Sequence, residues 1–273
     1  MIDLRWQLPD APLRASVVTA KAFGLVGVVV LASMIRAGLH LGQLYPLKAG
    51  AVFAGAMLIA IGFLREHHPF ACFGPANETT TARVMFVALV VSFIGEPKLP
   101  VVAASAAAAT LVVTALDAAD GWFARRSRMA SDFGARFDME TDALLVMALA
   151  ILVWQYGKAG AWVLLCGMLR YLFVAAGYTW PWLQRPLPPS RRRQVICIVQ
   201  VVSLGVVIVP WIGPPVSGVM AAVALSALCY SFLIDVIWLW RPSVSFVTNS
   251  PDGSSCRSRR HVSDDVPSAD TRT

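Results

Sequence analysis

Apolar blocks, each about the length of a membrane crossing, follow one another along most of the chain and are parted by short polar breaks. A helix needs roughly 20 predominantly apolar residues to cross the hydrocarbon core. That rule predicts helical spans at about 16–39, 45–64, 79–95, 100–126, 133–155, 160–178, 193–210 and 216–240. The first block is long enough to span and is not closed by a small-x-small site, so it reads as a span rather than a cleaved signal peptide. Residues 1–15 are polar, contain Pro9 and Pro12, and read as a cytoplasmic segment beginning as a short surface helix. The stretch 180–193 (WPWLQRPLPPSRRR) is a Pro-rich basic loop, and residues 243–273, rich in Ser, Asp, Pro and Arg, read as a disordered tail. The fold class is therefore all-α: a polytopic membrane helical bundle.

Composition agrees with this pattern. Hydrophobic residues make up 57% of the chain and charged residues only 14%, against about 25% charged in soluble domains. The formal charge is +7. Its basic groups cluster at Arg65, at Arg83, at Arg125, Arg126 and Arg128 with Arg136, and at Arg191 to Arg193. With the N-terminus inside, Arg5, Arg14, Arg65, Arg125 to Arg128, Arg185, Arg191 to Arg193 and Arg241 all fall on the cytoplasmic side. The outer loops keep His40, Lys48, Lys98 and Lys158. This bias puts the acidic cluster near the cytoplasmic face and suits contact with anionic membrane lipids; the expected location is the cell (inner) membrane. Neither an aromatic-basic platform nor zinc-finger spacing is present, so nucleic acid is not an expected partner. Trp180, Trp182, Trp211, Trp238 and Trp240 lie at span ends, as an aromatic belt does. Cys72, Cys166, Cys197, Cys229 and Cys256 occur singly, and no disulfide or thiolate metal site is expected.

One polar constellation interrupts the apolar pattern. Asp117 and Asp120 are followed by Gly121, Ala124 and Arg125, then by Gly134, Asp138 and Asp142. An ionisable group at membrane depth costs roughly 2.5–3.5 kcal/mol on insertion scales, and four carboxylates also repel one another. On a helix, Asp117, Asp120, Gly121 and Ala124 share an arc of roughly 100°. The bare surface at Gly121 and Ala124 admits a bulky ligand, and Arg125 can meet phosphate oxygens with a fork of donors. Asp138 and Asp142 share a face of the next helix, which starts at Ser131 or Asp132. A short turn joins the two helices, which are expected to be antiparallel neighbours with converging acidic faces. Such a site suits one or two Mg²⁺ ions holding a pyrophosphate. A carboxylate free of metal can accept a proton from an attacking alcohol. Asp132 and Glu140 read as a helix cap and a solvated acid.

The arrangement Asp117-x2-Asp120-Gly121-x2-Ala124-Arg125-x8-Gly134-x3-Asp138-x3-Asp142 resembles the signature of the CDP-alcohol phosphotransferase (phosphatidyltransferase) family. Residues 77–83, NETTTAR, resemble that family's Asn-x2-Thr-x2-Arg through Asn77, Thr80 and Arg83. The resemblance implies a six-helix catalytic domain over 77–242, preceded by two additional transmembrane helices within 16–76. It further implies a homodimer with the site open to cytoplasm and lipid. Asp117, Asp120, Asp138 and Asp142 would bind two Mg²⁺ (or Mn²⁺) ions, with Asp142 also the catalytic base. Asn77, Thr80, Asp117, Gly121, Ala124, Arg125 and Gly134 would line the CDP moiety. The implied reaction is attack by an alcohol on the β-phosphorus of a CDP-linked lipid such as CDP-diacylglycerol, releasing CMP.

The acceptor is a small alcohol or a phosphorylated alcohol. Many glycerol-phosphate-using members carry Pro after the third Asp and Lys after the fourth, whereas Met139 and Ala143 stand here. Arg170, inside the sixth span, either pairs with a carboxylate or contacts an acceptor phosphate, and Arg83 is a second candidate acceptor contact. Arg136 pairs with Asp132, Arg191 to Arg193 meet headgroups, and His67-His68 beside Glu66 reads as a solvated interfacial loop. Two other readings are a cation-coupled transporter using the Asp cluster and a non-catalytic member of the fold. A transporter predicts acids near the midplane, broken helices and repeated halves. Here the acids lie beside Arg125, Arg126 and Arg128 near one face, with no repeat, and all four aspartates of the signature are present.

Overall fold

The computed structural model describes the backbone of residues 11–67, 75–127, 132–185, 187–188 and 190–240, and the side chains within 22–59, 81–118 and 137–240 of those. Among the described residues the chain forms eight α-helices and no strand. They are α1 (Ala11–Leu39), α2 (Tyr45–His67), α3 (Pro75–Ser92), α4 (Pro100–Ser127), α5 (Asp132–Gln155), α6 (Leu165–Thr179), α7 (Arg191–Val207) and α8 (Val216–Trp240). Short 3-10 turns, Ala161–Leu164 and Pro181–Gln184, precede and follow α6. All of these helices lie in one unit of the chain, within Met1–Arg241. The protein is thus an all-helical polytopic membrane protein. Four stretches are both long and apolar enough to cross a membrane: Ala22–Leu39, Pro100–Ala118, Ala161–Thr179 and Val216–Trp240. Shorter apolar stretches are Tyr45–Ile59 and Thr81–Ser92.

Each predicted span has its helix, with shifts at the ends. α1 starts at Ala11 rather than near residue 16, with Pro12 in its first turn, where a missing N–H costs no intrahelical bond. α3 likewise starts on Pro75 and α4 on Pro100, so the first now takes in Asn77 and Thr80. α7 runs from Arg191 to Val207, two residues earlier at its start and three at its end than expected. α5 ends at Gln155, two residues before Gly157, whose φ of 65° lies in the left-handed region common after helix ends. The first ten residues of the expected N-terminal segment, His68, Cys72 and the tail 243–273 lie outside the described residues.

α3 packs against α1, α2, α4 and α5, and α7 packs against α4, α5 and α8. Leu89 of α3, Phe93 just after it, Leu145, Leu149 and Leu152 of α5, and Leu204 of α7 are buried side chains of the resulting core. The two N-terminal helices join this core. Tyr45 is buried, its ring 5.2 Å from that of Phe93, and its hydroxyl donates to the Leu89 carbonyl at 3.2 Å. Burying a tyrosine this way satisfies its polar tip while adding apolar area. At the α5–α6 contact, a Cβ added to Gly167 would stand 2.6 Å from Met147 Cα, so only glycine permits that approach.

One end of the bundle is stitched by polar contacts. Glu96, in the α3–α4 connection, accepts from the Gly42 amide at 2.8 Å and from Lys48 Nζ at 2.7 Å. Gln155 at the end of α5 donates to the Glu96 carbonyl at 3.2 Å and accepts from the Gly95 amide at 3.0 Å. Lys158 Nζ donates to the carbonyls of Val209 at 3.1 Å and of Ile212, beyond the end of α7. Ser217 Oγ returns a bond to the Lys158 carbonyl at 2.6 Å. Carbonyls left over at helix ends need such partners.

Candidate active site

The site lies where α3, α4, α5 and α7 meet, near the starts of α3, α5 and α7 and the end of α4. Asp117 comes from α4, and Asp138 and Asp142 stand one turn apart on α5. One carboxylate oxygen from each of the three can be chosen so that all lie within 4.8 Å of one another. At such distances like charges repel by roughly 3 kcal/mol per pair at an effective dielectric of 20. A cation must hold them together, and the chain supplies one. The guanidinium of Arg83, from α3, bonds Asp117 Oδ1 at 3.0 Å, Asp142 Oδ1 at 2.5 Å, and Asp138 Oδ1.

Exposure separates the partners. The Arg83 side chain is 1% exposed, whereas those of Asp117, Asp138 and Asp142 are 33%, 40% and 22% exposed. The carboxylates can therefore be reached by a ligand, and Arg83 lines the same cleft as Asp117 and Asp142. The cleft in front is lined by Val113 and Thr114 of α4, Leu145 of α5, and Cys197, Ile198 and Val201 of α7. Cys197 donates its thiol to Asp142 Oδ2 at 3.7 Å. The cleft is thus polar at its acidic wall and apolar elsewhere.

The acidic faces of α4 and α5 converge, as the spacing of the aspartates predicts. Among the described residues α4 and α5 share no broad contact; α3 and α7 each pack against both and bridge them. Arg83 of α3 stands among the three carboxylates, and Cys197 of α7 reaches Asp142. Of the residues singled out from sequence, Asp117, Asp138, Asp142 and Arg83 come together. Asp120, Gly121, Ala124 and Arg125 fall on α4, Gly134 on α5, and Asn77 and Thr80 on α3, but beyond these helical positions they lie outside the described side chains. Arg83, a candidate acceptor contact, faces the carboxylates. Arg170 of α6 does not join them: it pairs with Glu140 and donates to Met139 Sδ at 2.8 Å. Glu140 lies about 160–200° around α5 from Asp138 and Asp142; it is 54% exposed, as a solvated acid is, and also pairs with Arg170 of α6.

Sequence reasoning did not single out Cys197, Thr114 or the other α7 residues of the cleft. Cys197 stands in an apolar span and reads as a small hydrophobe; only the packing of α7 onto α5 reveals its partner. Arg192 was expected to meet headgroups, yet it donates to the Ser231 carbonyl at 2.9 Å and bonds Asp235 of α8 at 2.5 Å.

The three converging carboxylates form an all-oxygen donor set. Hard divalent cations such as Mg²⁺ or Mn²⁺ take such donors in preference to soft metals, so the residues present fit that class of ion.

Comparison with known proteins agrees. Residues 74–234, more than half of the chain, match the sequence model of a family described as CDP-alcohol phosphatidyltransferase. The chain is 30% identical over 81 residues to the CDP-diacylglycerol--glycerol-3-phosphate 3-phosphatidyltransferase of Bacillus subtilis (strain 168). That alignment covers 30% of this chain and 42% of the relative, so the match spans less than half the relative's length. No solved structure matches the chain.

Proposed function

Because the chain belongs to the CDP-alcohol phosphatidyltransferase family, we propose that it transfers a phosphatidyl group from a CDP-linked lipid to an alcohol, with release of CMP. The observation that carries this reading is the convergence of Asp117, Asp138 and Asp142, with Asp117 and Asp142 lining a cleft. CDP-diacylglycerol is the donor that the name of the Bacillus relative supports, and that name makes glycerol 3-phosphate the first acceptor to try. The site faces the cytoplasm, since the basic residues of the chain gather at that end.

Asp117, Asp138 and Asp142, with Asp120 one turn along α4, would hold the divalent cation. When bound, Mg²⁺ polarises the phosphoryl oxygens and offsets the charge that builds on the departing nucleotide. The protein's own residues do the rest. Asp142 takes the hydroxyl proton of the acceptor as its oxygen bonds to the β-phosphorus. The bond from that phosphorus to the CMP oxygen breaks, and CMP leaves with the electron pair. Arg125 and the bare helix face at Gly121 and Ala124 cradle the diphosphate, as forked donors beside exposed backbone can. Val113, Leu145, Ile198 and Val201 exclude water, so the acceptor alcohol rather than hydrolysis takes the phosphatidyl group. The active form is a homodimer.

Membranes containing the protein are expected to release CMP from CDP-diacylglycerol with Mg²⁺, and a panel of alcohols identifies the acceptor by which member sustains release. Asp142→Asn should lower the rate by at least about 10²-fold, as loss of a general base does, while CDP-lipid still binds. Normal turnover by that variant would remove Asp142 from the role of base. No release with any acceptor would overturn the phosphatidyltransferase reading itself.

A further inference from the structure

Arg83 is the unusual member of the cluster. It is a nearly fully buried arginine in a membrane helix bundle, and its guanidinium reaches carboxylates from two other helices at once. All three bonds go to Oδ1 atoms of aspartates that the proposed reaction needs as cation ligands. An arginine in that place does two opposite things. It offsets the repulsion that would otherwise splay α4 and α5, and so keeps the carboxylates gathered before any ligand arrives. It also puts a fixed positive charge beside the position that a divalent cation must take, which weakens the cation's hold.

The geometry points to Arg83 as a positioning residue that couples metal binding to nucleotide binding. This rests on the reading of the site as one for a cation and a CDP-lipid. Three carboxylates and one guanidinium leave a cluster of reduced negative charge. A lone divalent cation entering it meets the guanidinium as a like charge. The diphosphate of the nucleotide brings its own negative charge to the same wall, and that charge relieves the repulsion. Cation and nucleotide therefore help one another to bind, and the coupling is reciprocal. The enzyme is then loaded with metal chiefly when its donor substrate is present.

Binding of Mn²⁺ to the solubilised full-length protein, followed by loss of the free-ion magnetic resonance signal, tests this with CDP as the nucleotide probe. For the unaltered protein, CDP is expected to tighten Mn²⁺ binding by about tenfold or more, within the usual span of coupling between sites. Arg83→Gln should bind Mn²⁺ alone about tenfold tighter than the unaltered protein, with the benefit of CDP correspondingly smaller. Arg83→Lys, which keeps the charge, should retain most of the coupling. Thermal unfolding gives a second readout: Arg83→Gln should be less stable than the unaltered protein without cation, and should gain more from Mn²⁺, because the ion replaces the lost counter-charge.

Indifference of the unaltered protein's Mn²⁺ affinity to CDP would overturn the proposal with no variant required. So would wild-type coupling in Arg83→Gln, or a rise in acceptor KM alone, which would make Arg83 an acceptor contact instead. Failure of the unaltered protein to bind either Mn²⁺ or CDP would overturn both this inference and the functional reading. CMP release with unaltered coupling in Arg83→Gln would remove the inference only.

Discussion

Glu96 shows what a single buried charge does in this chain. Its side chain is 5% exposed. Burial opposes its ionised form, but the hydrogen bonds from Lys48 and the Gly42 amide outweigh that and hold its carboxyl below the usual range. A carboxyl lowered in the folded state contributes stability above its unfolded value, near pH 4.3. That contribution is lost as the pH falls through the lowered folded value. Thermal melts of the protein in detergent between pH 7 and 3 should therefore show an acid loss of stability that Glu96→Gln flattens. At pH 7 the same substitution should cost about 1–2 kcal/mol, the scale of a hydrogen bond to a charged group with one exposed partner. An unchanged acid limb would mean that the α1–α2 connection is held by something else. Nothing local marks Glu96 as different from any loop acid. Its partners lie 54 and 48 positions away, so its role became visible only with the fold.

At the scale of helices, the sequence was legible wherever the signal was local. Apolar runs of membrane length predicted every helix, although α1 and α3 open on or beside prolines five and four residues ahead of the expected starts. The spacing of Asp138 and Asp142 likewise fixes a shared face whatever surrounds it. What stands between two helices is a different kind of fact. The bridging of α4 and α5 by α3 and α7, the pairing of Arg170 with Glu140 and the approach of Cys197 to Asp142 each depend on which faces meet. Close helix contacts are equally hidden until the backbone is placed. At Gly167 even a methyl group would collide with the α5 backbone at Met147. Gly167→Ala should force α5 and α6 apart and cost about 1–3 kcal/mol, the usual range for overpacking, read as a lower Tm. Since Met147 lies on the helix that carries Asp138 and Asp142, a fall in CMP release out of proportion to the lost stability is expected as well.

For the whole molecule, the family match starts at residue 74, after the first two helices, yet those helices are not an appendage. α1 and α2 both pack on α3, and Tyr45 and Phe53 are buried. A truncated chain beginning at residue 74 should bare the end of α3 that now meets Tyr45, together with Phe93 just beyond it. The expected result is a markedly lower yield of monodisperse protein and a Tm several degrees lower, since losing one buried aromatic alone costs about 3–5 kcal/mol. Equal stability of the short and full chains would make α1 and α2 dispensable to the fold. Composition and block length sufficed to read the class of the fold; the way an added hairpin of helices becomes part of the core did not follow from either.

The arginine of α3 also bears on how the chain enters the bilayer. Synthesis delivers α3 before α4 and α5, so the positive group emerges ahead of the acids that balance it. Alone in lipid, an arginine or aspartate at helix centre carries a cost of roughly 2.5–3.5 kcal/mol on translocon scales. α3 should therefore linger at the insertion machinery until its two partners arrive, and the three should leave it as one set. Crosslinking of stalled nascent chains would show this as α3 staying beside the translocon until α5 has emerged, and releasing early when Arg83 is replaced by leucine.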